Sequence, residues 1–152
     1  MDRITKQQRS KNMGKIKSTN TGPEIFIRKL LFSHGYRYRL YDRKLPGVPD
    51  IVLKKYKTVI LVHGCFWHSH ENCKKATLPE TNKEFWEKKL KTNKNRDIKV
   101  KEELIKAGYR VLIIWQCACI KKHSEKLFNK IVQFLNSELF FSEIGLRDVA
   151  EK

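Results

Sequence analysis

The chain of 152 residues has few acidic side chains, only four prolines and no long hydrophobic run. No stretch approaches the roughly 18 consecutive apolar residues that a membrane-spanning helix needs, so we expect no membrane partner. The N-terminal sequence MDRITKQQRSKNM lacks the apolar run that follows the charges of a secretory signal peptide. These absences predict a cytoplasmic protein.

Acidic residues are outnumbered, because 16 Asp and Glu face 33 Lys and Arg and leave a formal net charge of +17. Such an excess destabilises a folded chain through self-repulsion unless a polyanion binds to it. Nucleic acid is the most common such partner, and an anionic membrane surface is the alternative. Since 40% of the residues are hydrophobic, the chain can bury a core, and wholesale disorder is excluded. Composition alone does not indicate an enzyme.

No internal repeat or low-complexity linker divides the sequence. Its length fits one domain, and we expect a single domain over residues 1–152. Within it, residues 1–20 are expected to form a basic arm and residues 140–152 a C-terminal tail. All four prolines lie in the first 79 residues, so the second half can form long uninterrupted elements.

Hydrophobic periodicity and turn signals predict the order helix, three strands, helix, strand, helix. Thr21 is predicted to cap the first helix, and Gly35 to end it. The predicted strands cover residues 36–41, 50–53, 58–62 and 109–115, the last two being apolar runs typical of buried strands. This order favours an α/β fold with a mixed central sheet flanked by helices.

Two further helices are predicted in the second half of the chain. Thr81 and Glu84 have the spacing of a capping box at the start of a long basic helix, which Gly108 would stop. A final amphipathic helix is predicted over residues 124–139.

The segment LPGVPD, residues 45–50, combines a turn with a carboxylate at the start of a strand. This arrangement places Asp50 at a sheet edge, where a metal ion or a phosphate can approach. Asp is a natural ligand for Mg²⁺, which prefers oxygen and keeps several waters. The alternative is an ordinary turn followed by a surface Asp, because Pro, Gly and Asp are common turn residues.

A Cys/His-rich loop, HGCFWHSHENC, follows a predicted buried strand and holds three of the five histidines and two of the four cysteines. Cys65, His70 and Cys73 are separated by four and two residues, a spacing suited to Zn²⁺. A structural zinc site needs a fourth ligand, which Cys117 or Cys119 can supply. The alternative, a cluster of inert thiols with exposed histidines, is less common in cytosolic proteins.

If zinc takes His70, then His63 and His68 remain beside the strand that carries Asp50. A neutral imidazole near pH 7 removes a proton from water, and an imidazolium stabilises the charge of a phosphorane. Lone histidines are more often ordinary surface or core residues. Two spare histidines beside an Asp-bearing strand are a sign of catalysis.

Large aromatic side chains lie next to this loop. Phe66 and Trp67 belong to the loop itself, and Phe85 and Trp86 to the start of the basic helix. They either cover the zinc site as a small satellite core or form a wedge that enters a DNA base step and unstacks it. Nearby cations would pair with phosphates, although a charge run is usually a solvated helix face; they are Lys74, Lys75, Lys88, Lys89, Lys91, Lys94 and Arg96.

In combination these residues resemble the very short patch repair endonucleases. The resemblance covers most of the chain, and its most specific string is HGCFWH after a hydrophobic strand. The matching segments are RSKNM (9–13), Glu24, LPGVPD (45–50), VHGCFWH (62–68), EFW (84–86), Asn93, RD (96–97) and RVLIIW (110–115) with Cys117. This family has a restriction-endonuclease-like core, in agreement with the predicted element order.

The resemblance implies a role for each motif. Asp50 would be the main carboxylate ligand of a catalytic Mg²⁺, together with the backbone carbonyl of Val62. His68 would activate the attacking water, supported by His63 and Glu24. The implied zinc ligands are Cys65, His70, Cys73 and Cys117. The implied DNA contacts are the wedge of Phe66, Trp67 and Trp86, the arm residues Ser10, Lys11, Asn12 and Met13, and Asn93 and Arg96.

The resemblance therefore predicts a Mg²⁺-dependent endonuclease with a structural Zn²⁺. It would nick one strand of double-stranded DNA 5′ of the mispaired T in a T·G mismatch, the product of 5-methylcytosine deamination, and so start very short patch repair. We expect it to act as a monomer, with other repair proteins as further candidate partners. The alternatives are a restriction-type nuclease that cuts both strands of intact DNA and a zinc-stabilised DNA-binding module without activity.

Overall fold

The computed structural model describes residues 19–150, and the chain is folded around one five-stranded sheet. The strands are β1 (Arg39–Leu40), β2 (Ile51–Leu53), β3 (Thr58–His63), β4 (Arg110–Trp115) and β5 (Phe141–Ile144). The helices are α1 (Gly22–Ser33), α2 (Lys83–Lys106), α3 (Ser124–Leu135) and the short α4 (Leu146–Val149). None of these helices combines the length and the apolar character needed to cross a bilayer.

The sheet is mixed, with strand order β1-β2-β3-β4-β5. The first three strands are antiparallel neighbours, whereas β3, β4 and β5 are parallel. Because the parallel strands all end at one edge, the residues that follow them are brought together there. β2 runs in the opposite direction, so its start lies at this same edge. The predicted α/β fold with a mixed sheet and flanking helices is confirmed.

The two faces of the sheet are buried under different layers. Alternate residues of β4 point to opposite faces, so that Leu112 and Ile114 pack with α1 and α3, and Val111 and Ile113 pack with Leu104 of α2. The central strands β3 and β4 are buried almost throughout. Their continuous apolar sequences arise because both faces of the sheet are covered.

The starts of α1 and α2 differ in how they are capped. Thr21 caps α1 as predicted, since its side chain accepts from the Glu24 amide while the Glu24 carboxylate accepts from the Thr21 amide. The predicted Thr81 and Glu84 capping box is wrong. α2 begins one residue later, after Asn82 in a left-handed conformation with no side-chain cap.

The C-terminal third differs most from the sequence prediction. The final amphipathic helix ends at Leu135 instead of residue 139, and the guanidinium of Arg110 binds the carbonyls of Phe134, Leu135 and Ser137 at its end. Residues 140–150, expected to belong to a tail, contain β5 and α4. The predicted strand over residues 36–41 is reduced to Arg39–Leu40, and the positive φ of 49° at Tyr41 marks its end.

Candidate active site and metal centre

The first group of site residues lies where β2 begins beside the end of β3. Asp50 precedes β2, and its Oδ2 accepts a hydrogen bond of 2.8 Å from the Val62 amide. Its carboxyl group is also hydrogen-bonded to that of Glu24, a fully buried residue of the first turn of α1. Sequence reasoning placed Asp50, Val62 and Glu24 in one site, and the structure brings the three together.

With the pKa of one carboxyl group raised and that of the other lowered, the pair would share one proton at neutral pH. Burial and the hydrogen bond with Glu24 raise the pKa of Asp50 to about 8. Burial works to raise the pKa of Glu24 as well, but hydrogen bonds from Asp50, Thr21 and Tyr41 outweigh it and lower that pKa. A buried carboxyl pair that cannot ionise fully is an unfavourable arrangement, which a divalent cation would relieve.

Glu24 is held by residues that sequence reasoning did not single out. The Tyr41 hydroxyl donates to Glu24 Oε1 at 3.3 Å, and Arg28 in turn donates to the Tyr41 hydroxyl and to Asn20 Oδ1. The guanidinium carbon of Arg28 also lies 5.4 Å from the centre of the Tyr41 ring. The contact could not be predicted from local sequence, because Tyr41 reaches Glu24 across 17 residues.

The second group consists of two stacked imidazoles and a carboxylate. The rings of His63, at the end of β3, and His68 are 3.8 Å apart and nearly parallel, at 7°. His68 Nδ1 lies 2.6 Å from Asp97 Oδ2 of α2. Burial, and then the neighbouring His68, lower the pKa of His63 to about 3, so this ring is neutral at pH 7.

Asp97 is a functional candidate that sequence reasoning missed, although it lies inside a matched motif. α2 is a long basic helix in which a single Asp looks like part of the solvated face. The helical spacing of its buried residues Trp86, Leu90, Asn93 and Leu104 was the available signal, since Asp97 follows Asn93 by four positions on the same face.

A cluster of four potential metal ligands lies at the ends of the parallel strands. The ligand atoms of Cys65, His70, Cys73 and Cys117 all lie within 4.8 Å of one another. Cys65 follows β3 and Cys117 follows β4, so the parallel pairing of these strands brings the two loops together. The sequence left Cys117 and Cys119 open as the fourth ligand, and the structure places Cys117 in the cluster. Cys119 instead donates to the carbonyl of Trp115.

The surroundings of this cluster hold its histidine in place. The His70 ring stacks on Trp115 with ring centres 4.0 Å apart, and the Trp115 indole donates to Glu143 of β5 at 2.9 Å. Gly145 lies directly against the imidazole, where an added Cβ would be 3.1 Å from His70 Cε1. The cluster is thus supported by residues of β4 and β5 and by the glycine that follows β5.

The donor set fits a zinc ion. Burial raises the pKa of the Cys65 thiol to about 12 and also raises that of Cys117. Without a cation these thiols remain protonated. Three sulfur atoms and one imidazole nitrogen at such separations are the ligands of a tetrahedral structural zinc site. The cluster can therefore hold a metal ion.

The aromatic residues pack on one another beside the loop. Phe66, Trp67 and Trp86 form a triangle with ring centres 5.2 to 5.7 Å apart. Trp86 is buried, Phe66 and Trp67 are half-buried, and Phe85 remains 57% exposed. The triangle is a small satellite core that leaves two rings partly accessible, and the wedge stays a prediction.

The remaining predicted DNA contacts differ in accessibility. Asn93 is buried, and its side-chain amide donates to the Trp67 carbonyl at 3.1 Å. Arg96 is exposed and donates to Asn93 Oδ1 at 3.0 Å. The predicted phosphate-binding cations, from Lys74 to Arg96, are all exposed. Ser10, Lys11, Asn12 and Met13 lie outside the described residues.

A mixed sheet with paired carboxylates and histidines at one edge defines an α/β protein of the restriction-endonuclease-like class. Comparison with known proteins gives the family. The family model described as DNA mismatch endonuclease Vsr matches residues 1–75. On this match and the similarities that follow, the chain belongs to the Vsr family of DNA endonucleases.

Three relatives show the extent of the similarity. The type II nicking enzyme V.NmeAIP of Neisseria meningitidis is 48% identical over 116 residues, which cover 76% of this chain and 82% of that protein. The type II nicking enzyme V.XorIIP of Xanthomonas oryzae is 42% identical over 116 residues, 76% of this chain and 85% of that one. The DNA mismatch endonuclease Vsr of Escherichia coli K12 is 43% identical over 113 residues, 74% and 72% respectively.

Proposed function

We propose that the protein nicks one strand of duplex DNA 5′ of the mispaired T in a T·G mismatch and so starts very short patch repair. The observation that carries this proposal is that Asp50, held by the Val62 amide at the start of β2, lies at the same end of the sheet as His63 and the loop of the His68–Asp97 pair. Family membership supplies the reaction class, and the relatives named as nicking enzymes support cleavage of a single strand.

The substrate is proposed to be double-stranded DNA, recognised by one copy of the chain. A net charge of +17 suits a polyanion, and the exposed cations of α2 and the preceding loop would bind phosphates. A T·G mismatch has no symmetry, so a single copy is sufficient to recognise it. Other repair proteins are further candidate partners, and the proposed DNA repair activity fits a cytoplasmic location.

The carboxyl pair is the proposed magnesium site. Asp50 would bind the ion through its carboxylate and Val62 through its backbone carbonyl, and Glu24 would support Asp50 through the interaction of their carboxyl groups. When bound, Mg²⁺ would polarise the scissile phosphate and stabilise charge on the leaving oxygen. The shared proton of Asp50 and Glu24 would be released as the ion binds.

His68 is proposed to remove the proton from the attacking water. Asp97 fixes the ring through Nδ1, which leaves the other ring nitrogen to accept the proton, and its negative charge stabilises the imidazolium that forms. The water oxygen then bonds to phosphorus as the bond to the leaving oxygen breaks. His63, buried and neutral, supports the His68 ring by stacking.

The Cys and His cluster is proposed to hold a structural Zn²⁺. Cys65, His70, Cys73 and Cys117 would tie the loop after β3 to the turn after β4. His68 lies inside this loop, so the zinc ion would fix the position of the proposed general base. No chemical step passes through this ion.

The aromatic triangle is proposed to read the mismatch. Phe66 and Trp67 are accessible enough to enter a base step that a mismatch has already weakened. Trp86 and Asn93 are buried, and they would contribute by supporting those two rings and the loop backbone. Arg96 would bind phosphate, and residues 10–13 of the arm would contact the duplex.

A nicking assay separates this proposal from its alternatives. Two duplexes that differ only in a T·G or a T·A pair, in several flanking contexts, are labelled on each strand and incubated with and without Mg²⁺. The proposal predicts one Mg²⁺-dependent nick 5′ of the mispaired T and none in the T·A duplex. Breaks in both strands of the T·A duplex would indicate a restriction-type nuclease. Tight binding without cleavage in any context would indicate a DNA-binding module.

A further inference from the structure

A second cluster of potential metal ligands lies beside the sulfur-rich cluster, which consists of Cys65, His70, Cys73 and Cys117, and it has a different chemistry. It consists of His63 at the end of β3, His68 in the following loop and Asp97 of α2, with ligand atoms all within 4.8 Å of one another. We propose that this cluster binds a transition-metal ion such as Zn²⁺ or Co²⁺, and that the bound ion inhibits the enzyme.

An unpaired buried atom points to a ligand. His63 is only 6% exposed, and its Nδ1 is completely buried with no hydrogen-bond partner in the part of the chain that the structure describes. Buried polar atoms are almost always paired, so an orphaned ring nitrogen needs an explanation. A lone pair on an imidazole nitrogen is the form in which histidine binds a metal, and an ion in this cluster would satisfy it.

The donor atoms select the class of ion. Two imidazole nitrogens and one carboxylate oxygen form a set that suits Zn²⁺, Co²⁺ or Ni²⁺, whereas Mg²⁺ prefers oxygen ligands alone. The cluster also lacks the sulfur ligands of the neighbouring site. It therefore differs in chemistry both from the carboxyl pair and from the Cys and His cluster.

An ion can reach this cluster from solvent. All three residues line a cleft of about 970 Å³, which lies between the loop after β3, α2 and the start of α4. The histidine rings are now stacked, and both can face one ion only if a ring turns. His68 would be the ring that turns, exchanging its hydrogen bond with Asp97 for the ion, because its side chain is 25% exposed whereas His63 is buried. Three protein ligands would leave a fourth position open to water.

The functional consequence follows from the identity of one ligand. His68 is the proposed general base, and a nitrogen lone pair that binds a metal no longer accepts a proton. Excess transition metal would therefore slow nicking even at saturating Mg²⁺. This consequence rests on the proposed function, but the binding of the ion does not.

Counting bound metal tests the binding directly. The protein is dialysed against zinc chloride at increasing concentration, and bound zinc is measured by elemental analysis. Two zinc ions per chain are expected for the parent. One is expected for Asp97→Asn and for His68→Asn, which keep the sulfur-rich cluster. Glu71→Gln removes an exposed carboxylate that lines the same cleft and serves as the matched control, with two ions expected.

Cobalt distinguishes the two sites by their ligands. With zinc retained in the sulfur-rich cluster, added cobalt chloride is expected to give visible d–d bands without sulfur-to-cobalt charge transfer, and Asp97→Asn should lose these bands. A single zinc ion in the parent, or two ions retained in both Asp97→Asn and His68→Asn, would overturn the proposal. A protein that never nicks DNA yet holds the second ion would refute the proposed function and leave this site standing.

Discussion

Asp97 holds His68 by a hydrogen bond of 2.6 Å between Oδ2 and Nδ1, joining the middle of α2 to the loop after β3. The carboxylate favours a proton on Nδ1, and the other ring nitrogen of His68 would then be the one that accepts a proton in the proposed reaction. The same contact ties the most basic helix, a candidate for phosphate binding, to the proposed general base. The proposed DNA binding and the proposed water activation would thus be positioned by one structural element.

Replacing Asp97 by Asn tests this relationship. The amide keeps the shape but loses the charge that stabilises a protonated His68, so the single-turnover nicking rate should fall by about 10- to 100-fold. His68→Ala should fall further, by about 10²- to 10⁴-fold. Glu71→Gln, at an exposed residue that lines the same cleft, should retain the parent rate. A parent-like rate for Asp97→Asn would show that the carboxylate has no part in catalysis.

The carboxyl pair predicts an unusual pH dependence of stability. The pKa of Asp50 is raised to about 8 in the folded protein, so the folded state holds a proton that the unfolded chain has lost above pH 4. Stability should therefore decrease as pH rises from about 4 to 8 without added Mg²⁺.

Asp50→Asn removes this titration while keeping the size of the side chain. Its free energy of unfolding, measured in urea without Mg²⁺, should exceed that of the parent by a margin that widens over this pH range. The same substitution at Asp42, which lies in the same loop but outside the carboxyl pair, serves as the control. A constant difference between Asp50→Asn and the parent would refute the shared proton.

The sulfur-rich cluster predicts that substitution of Cys73 removes the zinc ion and that substitution of Cys119 does not. Cys73→Ser should release zinc and lower the melting temperature, because a structural zinc ion contributes to folding directly. Cys119→Ser should retain both, since the Cys119 thiol donates to the Trp115 carbonyl and lies outside the cluster. Elemental analysis after dialysis into zinc-free buffer measures the difference. Equal zinc in Cys73→Ser and the parent would remove Cys73 from the ligand set.

Gly145 predicts a purely steric effect on the same site. A methyl group there would lie 3.1 Å from His70 Cε1 and would displace the imidazole by a few tenths of an ångström. Gly145→Ala should therefore lose zinc to a competing chelator faster than the parent does. Gly22→Ala is the control, because no atom lies within 4 Å of the position its Cβ would take. Identical release rates for Gly145→Ala and the parent would show that the ring is not held in place.

The sequence predicted the mixed sheet because each buried strand has its own local signal. The apolar runs of β3 and β4, the turn before Asp50 and the Thr21 cap all act over a few residues. β5 was missed, since FSEI is a short edge strand whose exposed residues look like those of a loop. Its pairing with β4 depends on contacts that lie 30 residues apart.

The sequence predicted those residues of the candidate site whose chemistry is evident from the residue type alone. The cysteines and histidines stand out in any sequence, whereas Asp97, Tyr41 and Glu143 are ordinary residues whose roles come from distant contacts. Sequence also left Cys117 and Cys119 equivalent. The turn after β4 separates them, because one thiol faces the loop after β3 and the other binds the chain's own backbone.

Asp50→Ala on a duplex with one T·G mismatch tests the central claim most directly, when binding and nicking are measured on the same sample. We predict that binding in the absence of Mg²⁺ is retained, and that the Mg²⁺-dependent nick decreases by about 10³-fold or more, as expected for the loss of the main ligand of a catalytic metal. Nicking at the parent rate by Asp50→Ala would contradict the assignment of the carboxyl pair as the active site.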